Sequence, residues 1–497
     1  MWNGEGAVTM IGIVSYGGYI PRLRLSRKVI VQNMAWYSPV IFAYAQGEKA
    51  VANWDEDALS MAVNAACDCL AGQEKAAVDG VYLASTTLPY ADRLNADILA
   101  TALHVREAGL GAADFTGCLK AGTTALISAL DALAAGKKKS VLVAAGDQRR
   151  TKMASAQEML YGDGAAALLV GGDRVIAEFQ DSYSVSCDFA DHYRGAGKEF
   201  DYSWEERWAR EQGFGKIIPE AITGFLKKTG TSIGDYDRIV YPCYFAATHA
   251  GIARRLKADP AKVQDPMHAV CGDTGAAHPL VLLLAVLEEA KPGDRILLAG
   301  FGQGCDVLSF RVTEEIRNLK PRRGIRGSLA NRAEMTNYAK YIKFRDLIEA
   351  DLGIRGEANP NASLTILWRN RAKLLGLVGG KCRGCGTPQY TFTPVCVNPD
   401  CQAIGQMEDY EFADKGGAVF MYTGDMLAAS VDPPAIYGIV DFEGGGRLLA
   451  DFTDCTLDAI RVGLPVRMSF RRRVKDDMRG FTGYFWKVVP QATEARS

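Results

Sequence analysis

A short plan of strand and helix occurs twice in this chain, and it limits the fold more than any other feature. Val78–Ser85 (VDGVYLAS), Ser140–Gly146 (SVLVAAG) and Gly164–Val170 are nearly continuous apolar runs, the pattern of strands buried on both faces. Between the first two, Ala121–Ala135 has apolar residues at 125, 126, 129, 130 and 133, a helical spacing that Gly136 ends. The second half keeps the same order. Asp237–Cys243 (DRIVYPC) takes the place of VDGVYLAS. Leu280–Ala290 is a buried helix stopped by Lys291-Pro292-Gly293, Arg295–Gly300 (RILLAG) answers SVLVAAG, and Val307–Val312 is a last strand. The correspondence is one of pattern, not of letters. A strand–helix alternation duplicated once predicts an α/β sandwich of two similar halves, residues 10–170 and 171–315.

Other segments depart from this rhythm. Residues 190–215 are charged and aromatic and read either as an excursion covering a pocket or as a solvated surface helix. The stretch 318–334 (NLKPRRGIRGSLANRAE) is basic and punctuated by Gly and Pro, which reads as a linker, and Tyr338–Leu352 is helical in pattern. Residues 316–380 are therefore expected to be linker and helices. Residues 381–404 hold a cysteine cluster. Residues 405–490 carry five short strands, Ala418–Thr423, Ala435–Asp441, Arg447–Phe452, Pro465–Phe470 and Tyr484–Val489, the pattern of a small β-barrel. Residues 1–9 read as an extension before the first strand.

Charge and composition exclude several classes. Lys and Arg total 57 against 58 Asp and Glu, a net charge of -1, so no global basicity invites nucleic acid or an acidic membrane. Arg471-Arg472-Arg473 is a basic run in the barrel, expected to be a solvated strand end, with nucleic acid or the phosphates of coenzyme A as other uses. The longest apolar run, Pro279–Leu287, falls far short of the ~18 residues that suggest a membrane span. No basic cluster and apolar core open the chain, so no secretory signal is expected. Twelve cysteines in 497 residues are too sparse for a disulfide scaffold, and a reducing cytoplasm is the expected compartment.

Four of those cysteines form Cys382-x2-Cys385-x10-Cys396-x4-Cys401. Two such knuckles bring four thiolates to one tetrahedral zinc, and a site closed by four sulfurs is structural, with no open position for catalysis. Gly384 and Gly386 sit where the first knuckle must turn tightly. Cys118 directly precedes the helix 121–135. A helix N-terminus offers free N–H groups and the positive end of the dipole, which lower a thiol pKa and can hold an oxyanion. Core packing is the plain alternative for a lone cysteine. His249 follows a predicted strand and opens a helix; Asp273 and His278 lie in a Gly-rich turn entering helix 280–290; Gly302-Gln303-Gly304 follows another strand. Each has a structural alternative, but all fall at strand-to-helix turns of the duplicated unit.

Together these segments resemble the thiolase superfamily, in its branch of hydroxymethylglutaryl-CoA synthases and beta-ketoacyl synthase III, over roughly residues 10–313. GCLKAGTTAL resembles the nucleophilic cysteine segment and YFAATHAGIARRL the catalytic histidine segment, which assigns those roles to Cys118 and His249. MLYGDGAAALLVG and PGDRILLAGFGQG resemble the glycine-rich end of the first half and the closing active-site loop. GDTGAA resembles a Gly-Asn-Thr segment with Asp273 at the asparagine place. His278-Pro279 resembles the Gly-His-Pro of degradative thiolases in a different register. Residues 338–490 resemble the zinc-ribbon plus OB-fold proteins that associate with thiolases, usually as separate subunits.

The resemblance implies a duplicated five-layer αβαβα fold followed by linker helices, a zinc ribbon and an OB-type barrel. It implies an acyl-CoA acyltransferase that makes or thiolytically cleaves a carbon–carbon bond by Claisen chemistry. Acyl-CoA thioesters would be the partners, coenzyme A a substrate or product, and a homodimer the assembly, with a partner thiolase as a further associate. A non-catalytic acyl-CoA-binding subunit is the alternative of another class. Two departures bear on specificity. Thr86 stands where the synthases carry a catalytic glutamate, and a hydroxyl cannot replace that acid/base. A hydroxymethylglutaryl-CoA synthase would then need a relocated base. Asp273 can donate to an oxyanion only if burial keeps it protonated.

Overall fold

The computed structural model describes residues 10–105, 107–351, 353–356 and 363–491. The expected extension 1–9 lies outside them. The first half contributes β1 (Gly12–Tyr19), β2 (Gly80–Ala84), β3 (Gly111–Phe115), β4 (Ser140–Asp147) and β5 (Gly164–Gly171), side by side as β3-β2-β4-β5-β1. The second contributes β6 (Ala177–Ser186), β7 (Arg238–Val240), β8 (Arg295–Phe301) and β9 (Gly304–Val312), ordered β7-β8-β9-β6. Directions repeat as well as order. β2–β4 and β7–β8 are parallel; β4–β5 and β8–β9 are antiparallel. The counterpart of β3 is a single parallel bridge from Ile239 to Val263. β1 and β6 pair at Gly12–Glu178 and Ile13–Ala177, which joins the two halves.

Five helices complete the layers: α1 (Ala58–Leu70), α2 (Ala121–Ala134), α3 (Ile218–Thr229), α4 (Ala246–Leu256) and α5 (His278–Leu287). α2 and α5 share one core with Val141, Val143 and Leu168 of the first half and Ile296, Leu298 and Phe310 of the second. They form the central layer, so α5 is apolar around its circumference. α1 covers the outer face of the first half. α3 and α4 cover that of the second. The result is αβαβα.

The basic stretch read as a linker is bound down on the first half. Arg322 Nη1 donates to Ser15 Oγ at 2.6 Å and Tyr16 O at 2.5 Å; Arg323 Nη2 donates to Gly18 O and Asn64 O, both at 3.1 Å. The Asp68 carboxylate accepts the amides of Arg323 and Gly324, each at 2.9 Å. Ala333–Met335 then adds a parallel strand to Leu23–Ser26. Arginines of the stretch read as a linker are used inside the fold. Of the helix expected at Tyr338–Leu352, Tyr338–Phe344 is helical, and Leu352 lies outside the described residues.

The C-terminal strands are β10 (Gly416–Asp425), β11 (Ala435–Phe442), β12 (Arg447–Asp451), β13 (Pro465–Asp476) and β14 (Phe481–Pro490), ordered β12-β11-β10-β13-β14. A bridge from Phe452 to Val488 closes them into a barrel. The barrel core runs on into that of α1, where Phe470 and Trp486 share a cluster with Leu59 and Val63. Arg471 was expected at a solvated strand end; instead it is 0% exposed. It lies between the barrel and the first half, paired with Glu56 and Asp454 at 2.5 Å each and donating to Tyr19 Oη at 2.9 Å. Lys487 pairs with Asp55 at 2.9 Å, and Arg472 donates to the Trp54 carbonyl. Only Arg473 of the three is exposed. Neither nucleic acid nor a phosphate can reach Arg471 while the barrel is docked.

Candidate active site

Cys118 sits on the turn that feeds α2, and Ala121 N donates to its carbonyl at 3.2 Å. The loop after β8 presses on this turn. A Cβ on Gly302 would lie 2.6 Å from Lys120 N and 2.8 Å from Leu119 N, so only glycine lets the two backbones meet. Asp306, 1% exposed on β9, staples the helix start by accepting from Lys120 Nζ at 3.0 Å, Thr123 Oγ1 at 3.1 Å and Thr124 Oγ1 at 2.7 Å. Burial raises the Cys118 pKa, and the amides of Lys120 and Ala121, which lower it, do not reverse the shift. The fall expected from the helix terminus is corrected to a rise: desolvation of the thiolate outweighs the amides. Those amides still face the sulfur, where they favour the thiolate.

Beside this turn lies a carboxylate that sequence reading passed over. Asp147, at the end of β4, is 0% exposed. It accepts from Ser85 Oγ at 2.9 Å, Thr86 N at 2.8 Å, Thr86 Oγ1 at 3.0 Å, Thr87 Oγ1 at 2.8 Å and Ala276 N at 2.7 Å. One side chain thus ties the ends of β2 and β4 to the turn before α5. That turn also meets α2, since a Cβ on Gly122 would lie 2.4 Å from Ala276 O. The available signal was an acid closing an otherwise apolar strand, SVLVAAGD. Thr86, which the resemblance sets at the glutamate place, commits its hydroxyl to Asp147.

Asp273 and His278 flank the same turn. Asp273 pairs with Arg149 Nη2 at 3.1 Å and accepts from Gly275 N at 2.8 Å. Burial alone would raise its pKa, but Arg149, His278 and the Gly275 amide bring it below the ordinary carboxylate value. Asp273 is therefore ionised and donates nothing. His278 is buried with both nitrogens engaged, Nε2 with Pro266 O at 3.0 Å and Nδ1 with Thr274 at 3.2–3.3 Å. His249 is on the first turn of α4. Its ring lies 4.5 Å from that of Tyr241, and its Nε2 is buried with no hydrogen-bond partner among the described residues. Burial lowers its pKa, so the imidazole is neutral near pH 7. The structure thus joins the Cys118 turn to the Asp273–His278 segment. Among the described residues, no hydrogen bond or ion pair links His249 to any of them. α4 also borders a cavity of about 430 Å³ lined by Arg210, Glu211, Gly215, Ala247, Thr248, Gly251 and Ile252.

Segment 190–215 is pinned over the edge of this region. His192–Tyr193 and Tyr202–Ser203 pair as a hairpin, and Arg194 donates to the Thr86 carbonyl while pairing with Asp201 at 2.9 Å. Phe214 is buried in the outer core of the second half, while Trp204 stays exposed.

The four clustered cysteines lie apart from this site. Their sulfurs all fall within 4.8 Å of one another, with Cys385–Cys396 at 3.5 Å and Cys382–Cys401 at 3.9 Å. A tetrahedron with Zn–S bonds of about 2.3 Å has edges of roughly 3.8 Å. Each knuckle is closed by its own backbone, Gly386 N to Cys382 O at 2.8 Å and Cys401 N to Asn398 O at 3.1 Å. The donor set fits one zinc-sized ion.

A duplicated αβαβα sandwich with a cysteine at the head of a central helix is the architecture of the thiolase-type acyl-CoA acyltransferases. Residues 226–312 match the C-terminal domain of 3-oxoacyl-[acyl-carrier-protein] synthase III, and residues 415–471 match the C-terminal OB-fold domain of ChsH2. A solved hydroxymethylglutaryl-CoA synthase complexed with CoA superposes with a TM-score of 0.62 at 19% identity, over 71% of this chain and 95% of that one. The 3-oxoacyl synthase III of Pseudomonas aeruginosa gives 0.55 at 20% identity, over 61% and 99%. In sequence, the hydroxymethylglutaryl-CoA synthase of Aeropyrum pernix is 30% identical over 349 residues, 69% of this chain and 96% of that protein. That of Methanocaldococcus jannaschii is 30% identical over 352 residues, 68% and 100%. The chain belongs to the hydroxymethylglutaryl-CoA synthase family, and it is an acyltransferase of the Claisen-condensing type with an OB-fold domain fused behind it.

Proposed function

We propose that the enzyme joins or thiolytically cleaves acyl-CoA thioesters through an acyl group carried on Cys118. The observation that carries this reading is the Cys118 turn, where two backbone amides face the sulfur and the Gly302 loop closes against them. In the forward sense, Cys118 Sγ attacks the thioester carbonyl. The carbon–sulfur bond to coenzyme A breaks, and coenzyme A leaves with the thiol proton. The α-carbon of a second acyl-CoA gives up a proton and attacks the acyl-cysteine. The new carbon–carbon bond releases Cys118, which regains a proton. Cleavage is the same path reversed, with free coenzyme A as acceptor.

His249 keeps a neutral ring with an uncommitted nitrogen, as a proton carrier needs, though no contact among the described residues ties it to Cys118. Asp273 Oδ1 and both His278 nitrogens are committed, so the part of these residues is to hold the turn that abuts α2. Hydroxymethylglutaryl-CoA formation is the second reading, favoured by family membership, with Thr86 against it. Zinc in the Cys382, Cys385, Cys396, Cys401 site is structural, supported by the four-sulfur geometry. A homodimer is supported by β3, an edge strand with no neighbour beyond β2 among the described residues. A cytoplasmic location is supported by the absence of any disulfide among its cysteines, and a partner thiolase by the fused OB domain. No helix among the described residues is long and apolar enough to cross a membrane. Intact-protein mass spectrometry after incubation with a panel of acyl-CoAs tests the reading: an adduct of acyl mass on the native chain, absent in Cys118→Ala, is expected. An undiminished adduct or full turnover in Cys118→Ala would overturn it.

A further inference from the structure

Near the pinned segment are the ion pairs Arg149–Asp273 at 3.1 Å and Arg194–Asp201 at 2.9 Å, with His192 against Asp191 at 3.0 Å. Arg149 is 1% exposed, and its guanidinium lies 3.6 Å over the Tyr161 ring. Its Nη2 serves Asp273, yet Nε and Nη1 are buried with no partner among the described residues. Asp201 has a side chain 4% exposed, and its Oδ2 is likewise buried and unpartnered. Arg150, the next residue after Arg149, pairs with Glu199 and lies 5.9 Å from the Phe200 ring, so the segments that carry Arg149 and Asp201 lie side by side. Contacts tie these segments to the Thr86–Asp147 network. Arg194 bridges Asp201 to the Thr86 carbonyl, Thr86 donates to Asp147, and Arg149 follows Asp147 by two residues.

Buried charged groups seldom leave hydrogen-bonding capacity unused. Here unused donors and an unused acceptor occur together, and each guanidinium already has its carboxylate. An anionic guest would meet three carboxylates, and a cationic one would meet the guanidiniums. The chemistry that fits is neutral and able both to accept and to donate, which a hydroxyl does. We propose that Arg149 and Asp201 form a subsite for a hydroxyl carried by the acyl group, with Arg149 donating to its oxygen and Asp201 Oδ2 taking its proton as a hydrogen bond. The inference rests on the proposed acyl transfer at Cys118 and names the substrate class for it.

The test compares 3-hydroxybutanoyl-CoA with butanoyl-CoA, which share chain length and the whole coenzyme. Acylation of Cys118, followed by intact mass, is expected to favour the hydroxylated thioester by about 10²-fold, because the plain chain leaves buried charged groups unpaired. Asp201→Asn and Arg149→Lys should each bring the ratio to within a few fold of one, with circular dichroism reporting whether the fold persists. The same ratio is read as dissociation constants in Cys118→Ala, which cannot be acylated. Failure of acylation with every thioester, alongside retained selective binding in Cys118→Ala, would count against the acyl-transfer reading alone. A ratio near one in the native protein, the result if ordered water fills the subsite, overturns the inference, as does a ratio that survives both folded variants.

Discussion

Removing the Asp147 carboxylate should unravel the site from its supports. In Asp147→Ala the hydroxyls of Ser85, Thr86 and Thr87 can rotate toward other acceptors. The amides of Thr86 and Ala276, now at 2.8 and 2.7 Å from the carboxylate, cannot. The buried Ala276 N–H without an acceptor costs about 1–3 kcal/mol and the half-buried Thr86 N–H less, roughly 2–4 kcal/mol together. That is a large part of the ~5–15 kcal/mol that holds an ordinary domain folded. Asp147→Asn is the graded control. It keeps the oxygen facing Ser85 and Thr86 N but sets an amide N–H against that of Ala276, for about 1–3 kcal/mol. Urea unfolding of the three proteins should order them native, Asn, Ala. Acylation of Cys118 by mass spectrometry should fall in the same order, since the Ala276 turn abuts α2. An Asp147→Ala protein within about 0.5 kcal/mol of the native chain, and still acylated at the native rate, would refute the reasoning.

Four further outcomes are expected. Because burial raises the Cys118 pKa, its thiolate fraction should climb only at alkaline pH; iodoacetamide labelling of the Cys118 peptide should show a midpoint above the ordinary thiol value of 9, and a midpoint below it would reverse the balance drawn above. Purified protein should carry about one zinc per chain, and Cys382→Ser should lower that content and the thermal midpoint; disulfides among the four sulfurs would exclude the site. Arg471→Met should cost about 3–5 kcal/mol by stranding Glu56 and Asp454 and should expose the barrel to limited proteolysis; unchanged stability and protease resistance would show that the clamp is idle. Thr86→Glu should not create efficient hydroxymethylglutaryl-CoA formation, because two carboxylates about 4 Å apart repel by ~4 kcal/mol at an effective dielectric of 20; rapid formation by the native chain would defeat the argument from Thr86.

The duplicated halves were legible because buried strands and helices carry their periodicity in the chain itself, as SVLVAAG and RILLAG do. The four-cysteine knuckles were legible for a similar reason, since a metal site of this kind is written in local spacing. Arg471, Arg322 and Arg323 were not. A charged side chain reads as solvated until its partners are known, and theirs include residues hundreds of positions away: Asp55 and Glu56 for Arg471, Ser15, Gly18 and Asn64 for the others.

The same limit explains how the two departures at the site were read. In sequence, Thr86 and Asp273 are separate losses, a missing acid/base and a missing donor. In the fold each is one end of a pair: Thr86 is bonded to Asp147, and Asp273 is neutralised by Arg149. A glutamate restored at position 86 would meet the Asp147 carboxylate, and an asparagine restored at 273 would leave a buried guanidinium without its counter-charge. Reverting either residue alone therefore costs more than it recovers. Both departures are locked by neighbours two residues apart on one strand end, which is the structural argument for the first proposed function over the second. On that argument, conversion toward hydroxymethylglutaryl-CoA formation requires positions 86, 147, 149 and 273 to change together.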